Sequence, residues 1–600
     1  MSLSEKDIEN EATTKPLSLK LITRLFGTLG PYIWLLFIGN FFCIICAATD
    51  MAIIREVKKI IDYPDLDSVS ILSVLFPLIC YCVINRITGW TQWLLTCFST
   101  NKGVENLRIK FFSQLQRLSK NFYDTHKTGW LIARNTGDIF IINQFMLFSL
   151  MMLIYFATAI MFAFYEMTKI SPVLLVPTLF IVPVVFVVTV RYKRRMEQAQ
   201  RETRKQNSKL VANLSENVRG IRVVQAFSRE KHNLSKFNLL NQKNRELEIR
   251  VSRLNALFLP SIDFLGILNT SIVITFVLLL LNGFIPFLPK FTLTTGELVA
   301  YISYMNIVVW PIRMLLEIYS MGIAAMAATE RIFEIIDLSP SVVDPDPPKK
   351  MEISHGNIYF DKVSFSYKKN TPLIFENLTH EILPGQTVAL VGESGVGKTT
   401  FASLIARFYD VTDGAILIDG KNVKNYTQES IHRSMAIVLQ SGYLFSGSVL
   451  ENIQFRLPDL SRNKIIEIAK KYGTHEAIMN LPDGYDTQVL EGGRLISLGQ
   501  RQIISLTRAL VSDPRILIMD EPTSSLDVYT EYIIQEAMKK MVGDRTTIII
   551  AHRLSTVKHA DVILLIGNKG IRESGTHNEL MEKNYVYASL VNNYDKKMHL

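Results

Sequence analysis

Gly392-Glu393-Ser394-Gly395-Val396-Gly397-Lys398-Thr399 places three glycines, a serine, a lysine and a threonine hydroxyl behind the apolar run Val388–Val391 and ahead of a helix expected over Thr400–Phe408. Backbone this rich in glycine turns successive N–H groups toward one point, and a helix N-terminus at that point favours an anion. The spacing is that of a phosphate-binding loop. Lys398 would neutralise the outer two phosphates of a nucleotide, and Thr399 would offer its hydroxyl to Mg²⁺. A plain glycine turn is the bland alternative, and the strand–loop–helix setting argues against it. Downstream, four apolar residues, Ile516–Met519, lead into Asp520 and Glu521. Carboxylates at the C-terminal end of a buried strand lie where α/β folds build their sites. Asp520 suits Mg²⁺ through water, and Glu521 suits a general base for an attacking water. Gln440 and His552 also follow strands, Ile437–Leu439 and Thr546–Ile550. Their residue types alone leave both open between structural and catalytic roles.

The elements that must hold these residues occupy the second half of the chain. Short β-rich runs alternate with helices at 357–367, 387–391, 415–418, 435–438, 516–519, 546–550 and 562–566. That order predicts an α/β domain with a largely parallel sheet over 356–600. A stretch rich in Pro and Asp precedes it and reads as a linker, 338–355.

The first half differs. A chain of 600 residues needs more than one core. Six charge-poor runs of about 20 residues or more qualify as membrane spans: 32–54, 69–97, 140–165, 172–190, 257–282 and 298–321. The net charge of +10 gathers in Lys102–Arg134 and Arg191–Arg253, the loops after the second and fourth spans. By the positive-inside bias those loops, and both termini, are cytoplasmic. No recognition motif supports nucleic acid as the partner of this charge. Both loops carry helical periodicity, so the spans are expected to extend beyond the membrane. Segments 122–138 and 213–227 then form candidate contact tips, because Val223, Val224, Ala226 and Phe227 need a surface to pack on. Residues 17–30 alternate apolar with basic and fit a helix on the inner membrane face. The five cysteines, Cys43, Cys46, Cys80, Cys82 and Cys97, all fall in the first two spans and read as small apolar side chains. Asp50, Arg86, Asp263, Arg313 and Glu317 are ionisable groups in or near spans and so are functional candidates.

The order of motifs resembles that of the ATP-binding cassette (ABC) exporters over about residues 25–600. Ser497-Leu498-Gly499-Gln500-Arg501-Gln502 resembles the family's signature, Asp520–Asp527 its acidic strand end and following loop, His552–Ser555 its switch-histidine segment, and Tyr367 its adenine-stacking aromatic. Phe122-Tyr123-Asp124 with Thr128-Gly129, and Gly220–Phe227, resemble its two coupling regions. The resemblance implies a six-span α-helical transmembrane domain, 1–337, fused to an α/β P-loop nucleotide-binding domain and working as a dimer. It implies ATP and Mg²⁺ as cofactors. Nucleotide contacts would come from Tyr367, Gly392, Ser394, Gly395, Gly397, Lys398, Thr399 and Thr400, and from Ser497, Gly499 and Gln500 acting on the partner's ATP. Glu521, His552 and Gln440 would be catalytic, and Thr399, Gln440 and Asp520 would serve the metal.

Two departures stand out. Leu498 occupies a place where the family commonly has Gly, with Ile496 before it, and Leu490 and Gly492 depart from the loop that precedes the signature. An identical second half-transporter is the expected partner, and a different one is the alternative. The expected activity is export of amphipathic lipids or drugs, drawn from membrane lipid or cytoplasm, across a bacterial inner membrane. Peptide export and an ATP-gated channel or regulator are the alternatives. Intact Glu521 and His552 argue against the channel.

Overall fold

The computed structural model describes residues 19–62, 68–282, 284, 292–368, 371–440, 442–520, 528–541, 545–551 and 557–598. They fall into two compact units, Met1–Gln116 with Thr128–Leu338, and Arg117–Lys127 with Ser339–Leu600.

The first unit is helical. α1 (Leu19–Phe26) is short and is followed by α2 (Ile33–Asp62) and α3 (Ser68–Arg117); after α4 (Lys120–Thr125), which belongs to the second unit, come α5 (Leu150–Ile170), α6 (Leu175–Arg219), α7 (Ile221–Ala226), α8 (Glu230–Leu281) and α9 (Thr295–Ile336). Among the described residues four helical stretches are long and apolar enough to cross a membrane by length and composition: Leu19–Asp62, Thr128–Ile170, Pro172–Arg219 and Glu230–Leu281. The second and sixth expected spans lie within α3 and α9. Along α6, Val176, Phe180, Phe186 and Val187 are exposed while Thr178, Ile181, Val185 and Thr189 are buried. An apolar outer face on a helix this long is what lipid contact requires. Below the apolar part, α6 and α8 continue side by side: Tyr192 stacks on Phe258 at 3.7 Å, Arg250 pairs with Glu202 at 2.9 Å, and Gln206 donates to the Leu240 carbonyl at 3.0 Å. These contacts, spread over several turns, carry both helices well past the expected span ends.

Polar ties organise the interior of this unit. Asp50 accepts from Asn85 (2.9 Å) and from the Tyr155 hydroxyl (2.6 Å), while Arg86 donates to Asn85 Oδ1. Asp138, 6% exposed, receives Arg331 at 2.7 Å and Arg134 at 2.9 Å. The expectations for Arg313 and Glu317 concern side chains outside the described residues, and part of the first outer loop, 63–67, also lies outside them.

The second unit contains two principal sheets. Its strands are β1 (Ile358–Phe365), β2 (Phe375–Ile382), β3 (Thr387–Val391), β4 (Asp413–Ile418), β5 (Lys421–Asn422), β6 (Met435–Val438), β7 (Gly447–Ser448), β8 (Gln488–Val489), β9 (Ile516–Asp520), β10 (Thr546–Ile550), β11 (Val562–Gly567) and β12 (Gly570–Gly575). One sheet has the order β12-β11-β3-β10-β9-β6 and is parallel except for β12; the other, β2-β1-β4-β5, is antiparallel. The sequence shows the parallel strands clearly, since burial on both faces demands continuous apolar runs. Leu517 and Met519 enter one core, Ile516 and Ile518 the other. The antiparallel sheet is less visible because β2, Phe-Glu-Asn-Leu-Thr-His-Glu-Ile, is half solvated and its register with β1 is irregular. The proline-rich stretch is fastened to this unit by Arg407. Its guanidinium is wholly buried and donates to the carbonyls of Val343 and Tyr426 and to Asp410.

Candidate nucleotide site

The phosphate loop begins where β3 ends. Gly392 has φ 151°, and a Cβ there would lie 2.6 Å from the Ile566 carbonyl oxygen; at Gly397, φ 112°, a Cβ would meet Ile374 Cγ2 at 2.8 Å. Only glycine fits either position, which fixes the loop's path into α10 (Lys398–Ile405). Lys398 is 6% exposed, and its Nζ donates to the carbonyls of Gly392 and Glu393 at 2.8 Å each. Burial lowers its pKa, and the nearby Asp520 carboxylate opposes that fall. A buried ammonium held inside a glycine loop is the group that a charge-assisted hydrogen bond to a phosphate oxygen requires.

Asp520 and Gln440 lie along the same sheet edge. Leu390 of β3 pairs with Ile550 of β10, which pairs with Asp520 of β9; Val438 of β6 pairs with Met519. The parallel strands therefore end in one row, with the phosphate loop, Asp520 and Gln440 leaving from it. In sequence Glu521 comes one residue after β9 and His552 two after β10, and both lie outside the described residues. The threonine hydroxyl at 399 and the Asp520 carboxylate are hard oxygen donors, the chemistry that suits Mg²⁺ beside phosphate oxygens. Among the described residues no group of three or more His, Cys, Asp or Glu forms a protein-only metal site.

Tyr367 follows β1. Its hydroxyl shares a 2.8 Å hydrogen bond with Thr400 Oγ1, and its ring meets Phe365 and Tyr409 edge-on at 5.1 Å each. Ser497 caps α11 (Leu498–Val511) in a reciprocal capping box: its Oγ accepts from Gln500 N at 3.2 Å, and Gln500 Oε1 accepts from Ser497 N at 3.0 Å. Gly499 is buried, and a Cβ there would stand 2.5 Å from Thr530 Cγ2. Two residues not singled out from sequence join these groups. Gln502 Nε2 donates to the Gln440 carbonyl at 2.6 Å, tying the residue after β6 to α11. Tyr409, 8% exposed, packs against Tyr367. Gln502 falls inside the quoted signature, whereas nothing in the sequence marks Tyr409.

A membrane-type helical unit joined to an α/β unit with a phosphate loop defines an ATP-coupled membrane transporter. Comparison with known proteins agrees. Residues 36–312 match the family model of the ABC transporter transmembrane region and residues 375–524 the ABC transporter model. The chain is 36% identical to the uncharacterized ABC transporter ATP-binding protein YknU of Bacillus subtilis (strain 168), covering 84% of this chain and 85% of that one. It is 34% identical to the putative multidrug export ATP-binding/permease protein YgaD of the same organism, covering 87% and 88%. Its fold is similar to that of a bacterial Atm1-family ABC exporter with ATP bound, with TM-score 0.73, 24% identity, and coverage of 96% and 99%. The chain belongs to the ABC transporter family. It is an ABC exporter, a membrane protein that binds ATP and couples its hydrolysis to transport, and its half-transporter fold implies a dimer.

Proposed function

We propose that the chain exports amphipathic lipids or drugs from the cytoplasm or inner leaflet by alternating access, in a bacterial inner membrane with both termini inside. The observation that carries the cargo class is a cavity of about 690 Å³ in the helical unit. Phe156, Ile267 and Ile307 give it apolar walls, and Asp263, Thr270 and Asn306 supply a few polar groups. That mixture and volume suit a drug-sized amphipath, and the printed name of YgaD points the same way. Glu521 acts as general base, His552 and Gln440 contact the γ-phosphate side, and Thr399, Gln440 and Asp520 serve Mg²⁺. Tyr367 stacks on adenine, while Ser497, Gly499 and Gln500 address the ATP of the other protomer. An identical copy is the proposed partner. Exposed Ile221, Val223 and Phe227 on and beside α7 support a larger assembly than one chain.

The test is ATPase activity of the purified protein in lipid nanodiscs, titrated with a panel of lipids, amphipathic drugs and peptides. Stimulation by lipids or drugs is expected. A response confined to peptides would overturn the cargo class, and silence of the pure chain that a second half-transporter relieves would overturn the homodimer.

A further inference from the structure

The segment Arg117–Lys127 is covalently part of the helical half of the chain but belongs to the compact unit that carries the phosphate loop. Three side chains hold it there. Ser119 Oγ accepts from Val342 N at 2.9 Å; Lys120 Nζ lies 5.3 Å from the Phe408 ring and 5.9 Å from the Tyr409 ring; and Asp124 accepts a hydrogen bond from the Tyr409 hydroxyl. Tyr409 thus has two faces of contact. Its hydroxyl grips α4, and its ring meets Tyr367 at 85°. Tyr367 is in turn bonded to Thr400 in the first turn of α10. The path from α4 to the phosphate-loop helix runs Asp124, Tyr409, Tyr367, Thr400, with a direct contact at every step.

Tyr409 is suited to such a link. It is nearly fully buried, so its ring cannot turn without moving its neighbours. Burial first, and then the Asp124 carboxylate, hold its hydroxyl well above the usual tyrosine range, so it remains a donor at neutral pH. Tyr367, by contrast, is 37% exposed and open to a ligand.

We propose that Tyr409 and Asp124 are positioning residues that make α4 respond to the nucleobase: a base stacked on Tyr367 fixes that ring, Tyr409 transmits the constraint, and Asp124 carries it into the segment entering the helical unit. The inference rests on the reading of Tyr367 as the base-stacking residue. It makes the coupling signal, and not affinity alone, depend on a planar base. Phosphates without a base would fill the phosphate loop and leave α4 as it is.

Hydrogen exchange of the full-length protein in nanodiscs tests this without knowledge of the cargo. In the wild type, saturating Mg-ATP should slow exchange over residues 119–125 by about tenfold, the scale of one charge-assisted hydrogen bond, and Mg-tripolyphosphate should not. Tyr409→Phe keeps the ring against Tyr367 and removes the grip on Asp124. The ATP effect at 119–125 should vanish in it, while ATP protection of residues 392–405 persists and the KM for ATP stays within about twofold. Asp124→Asn retains an acceptor and should restore the effect; Asp124→Ala should behave as Tyr409→Phe. An undiminished ATP effect in Tyr409→Phe, or an equal response of the wild type to tripolyphosphate, would overturn the inference. An unchanged KM for ATP in Tyr367→Ala would strike the base-stacking reading beneath it and remove both.

Discussion

Replacing Lys398 by Met keeps the buried aliphatic stem and removes the ammonium. The residue is 6% exposed, and its two 2.8 Å bonds to the Gly392 and Glu393 carbonyls hold the charge inside the phosphate loop. On ATP binding those donors turn to phosphate oxygens. A hydrogen bond between charged partners contributes about 1.5–3 kcal/mol net, so losing it should weaken ATP binding about tenfold to a hundredfold. The empty protein should change far less. Met leaves two loop carbonyls without a donor but also removes the desolvation of a buried charge, and these effects oppose one another. The two can be separated by thermal unfolding with and without ATP. At a fixed, saturating ATP concentration the stabilisation conferred by ligand should shrink by about 1.4–2.7 kcal/mol, because it varies as RT ln(1 + [L]/Kd). Direct titration with a fluorescent ATP analogue supplies Kd independently. A Kd within about twofold of wild type, with a normal ATP-induced shift, would refute the assignment of this loop.

Four other outcomes are expected. Glu521→Gln should abolish turnover while retaining ATP binding and trapping a closed dimer; hydrolysis at the normal rate would remove Glu521 as the base. Gly499→Ala puts a methyl 2.5 Å from Thr530 Cγ2, so it should cost about 1–3 kcal/mol of overpacking and lower ATPase activity; full activity and an unchanged melting temperature would show that α11 has room to move. Asp138→Ala leaves Arg331 and Arg134 without their shared carboxylate, and thermal unfolding in detergent should show a loss of about 3–5 kcal/mol, against less than about 1 for an exposed pair such as Lys464–Glu467. Asp419 is partly buried, which raises its pKa, yet the N–H groups of Ser354, His355, Gly356 and Asn357 more than offset this and hold it below the usual carboxylate range. A lowered folded-state pKa gives stability that is complete above the unfolded value of about 3.9 and is lost as pH falls through the folded value. The melting-temperature gap between wild type and Asp419→Asn should therefore be largest near neutrality and close on acidification below about pH 4; a gap that widens in acid would contradict the sign.

The parallel sheet and its site were legible in the sequence because both are local. A strand buried on two faces must be an apolar run, as Ile516–Met519 is, and a phosphate loop must be contiguous. The row formed by Leu390, Ile550 and Asp520 could then be expected, since parallel strands of one sheet end together. The antiparallel β2 and β12 were less legible, because their exposed residues dilute the pattern. The continuation of the helices past the spans was also expected, from the periodicity of the inner loops; what the sequence did not show is the pairing of the polar part of α6, beyond Val190, with α8 through Glu202 and Gln206. Tyr409 and Gln502 show the limit most clearly. Each matters through a partner far away in sequence, Asp124 for one and Gln440 for the other, and no spacing rule announces such pairs.

The features that form the first turn of α11 are intact: Ser497 and Gln500 satisfy each other's backbone donors, and Gly499 keeps its close approach to Thr530. Leu498 is only partly buried in this chain, so its side chain adds bulk at the helix start without disturbing the cap or the core. Within the chain, Gln502 holds the same helix to the Gln440 carbonyl. On the proposed roles, the helix start faces the partner's nucleotide, and the tie to Gln440 faces the chain's own. On those roles Leu498 would bear on the contact across the dimer, and not on Lys398, Asp520 or the tie at Gln440.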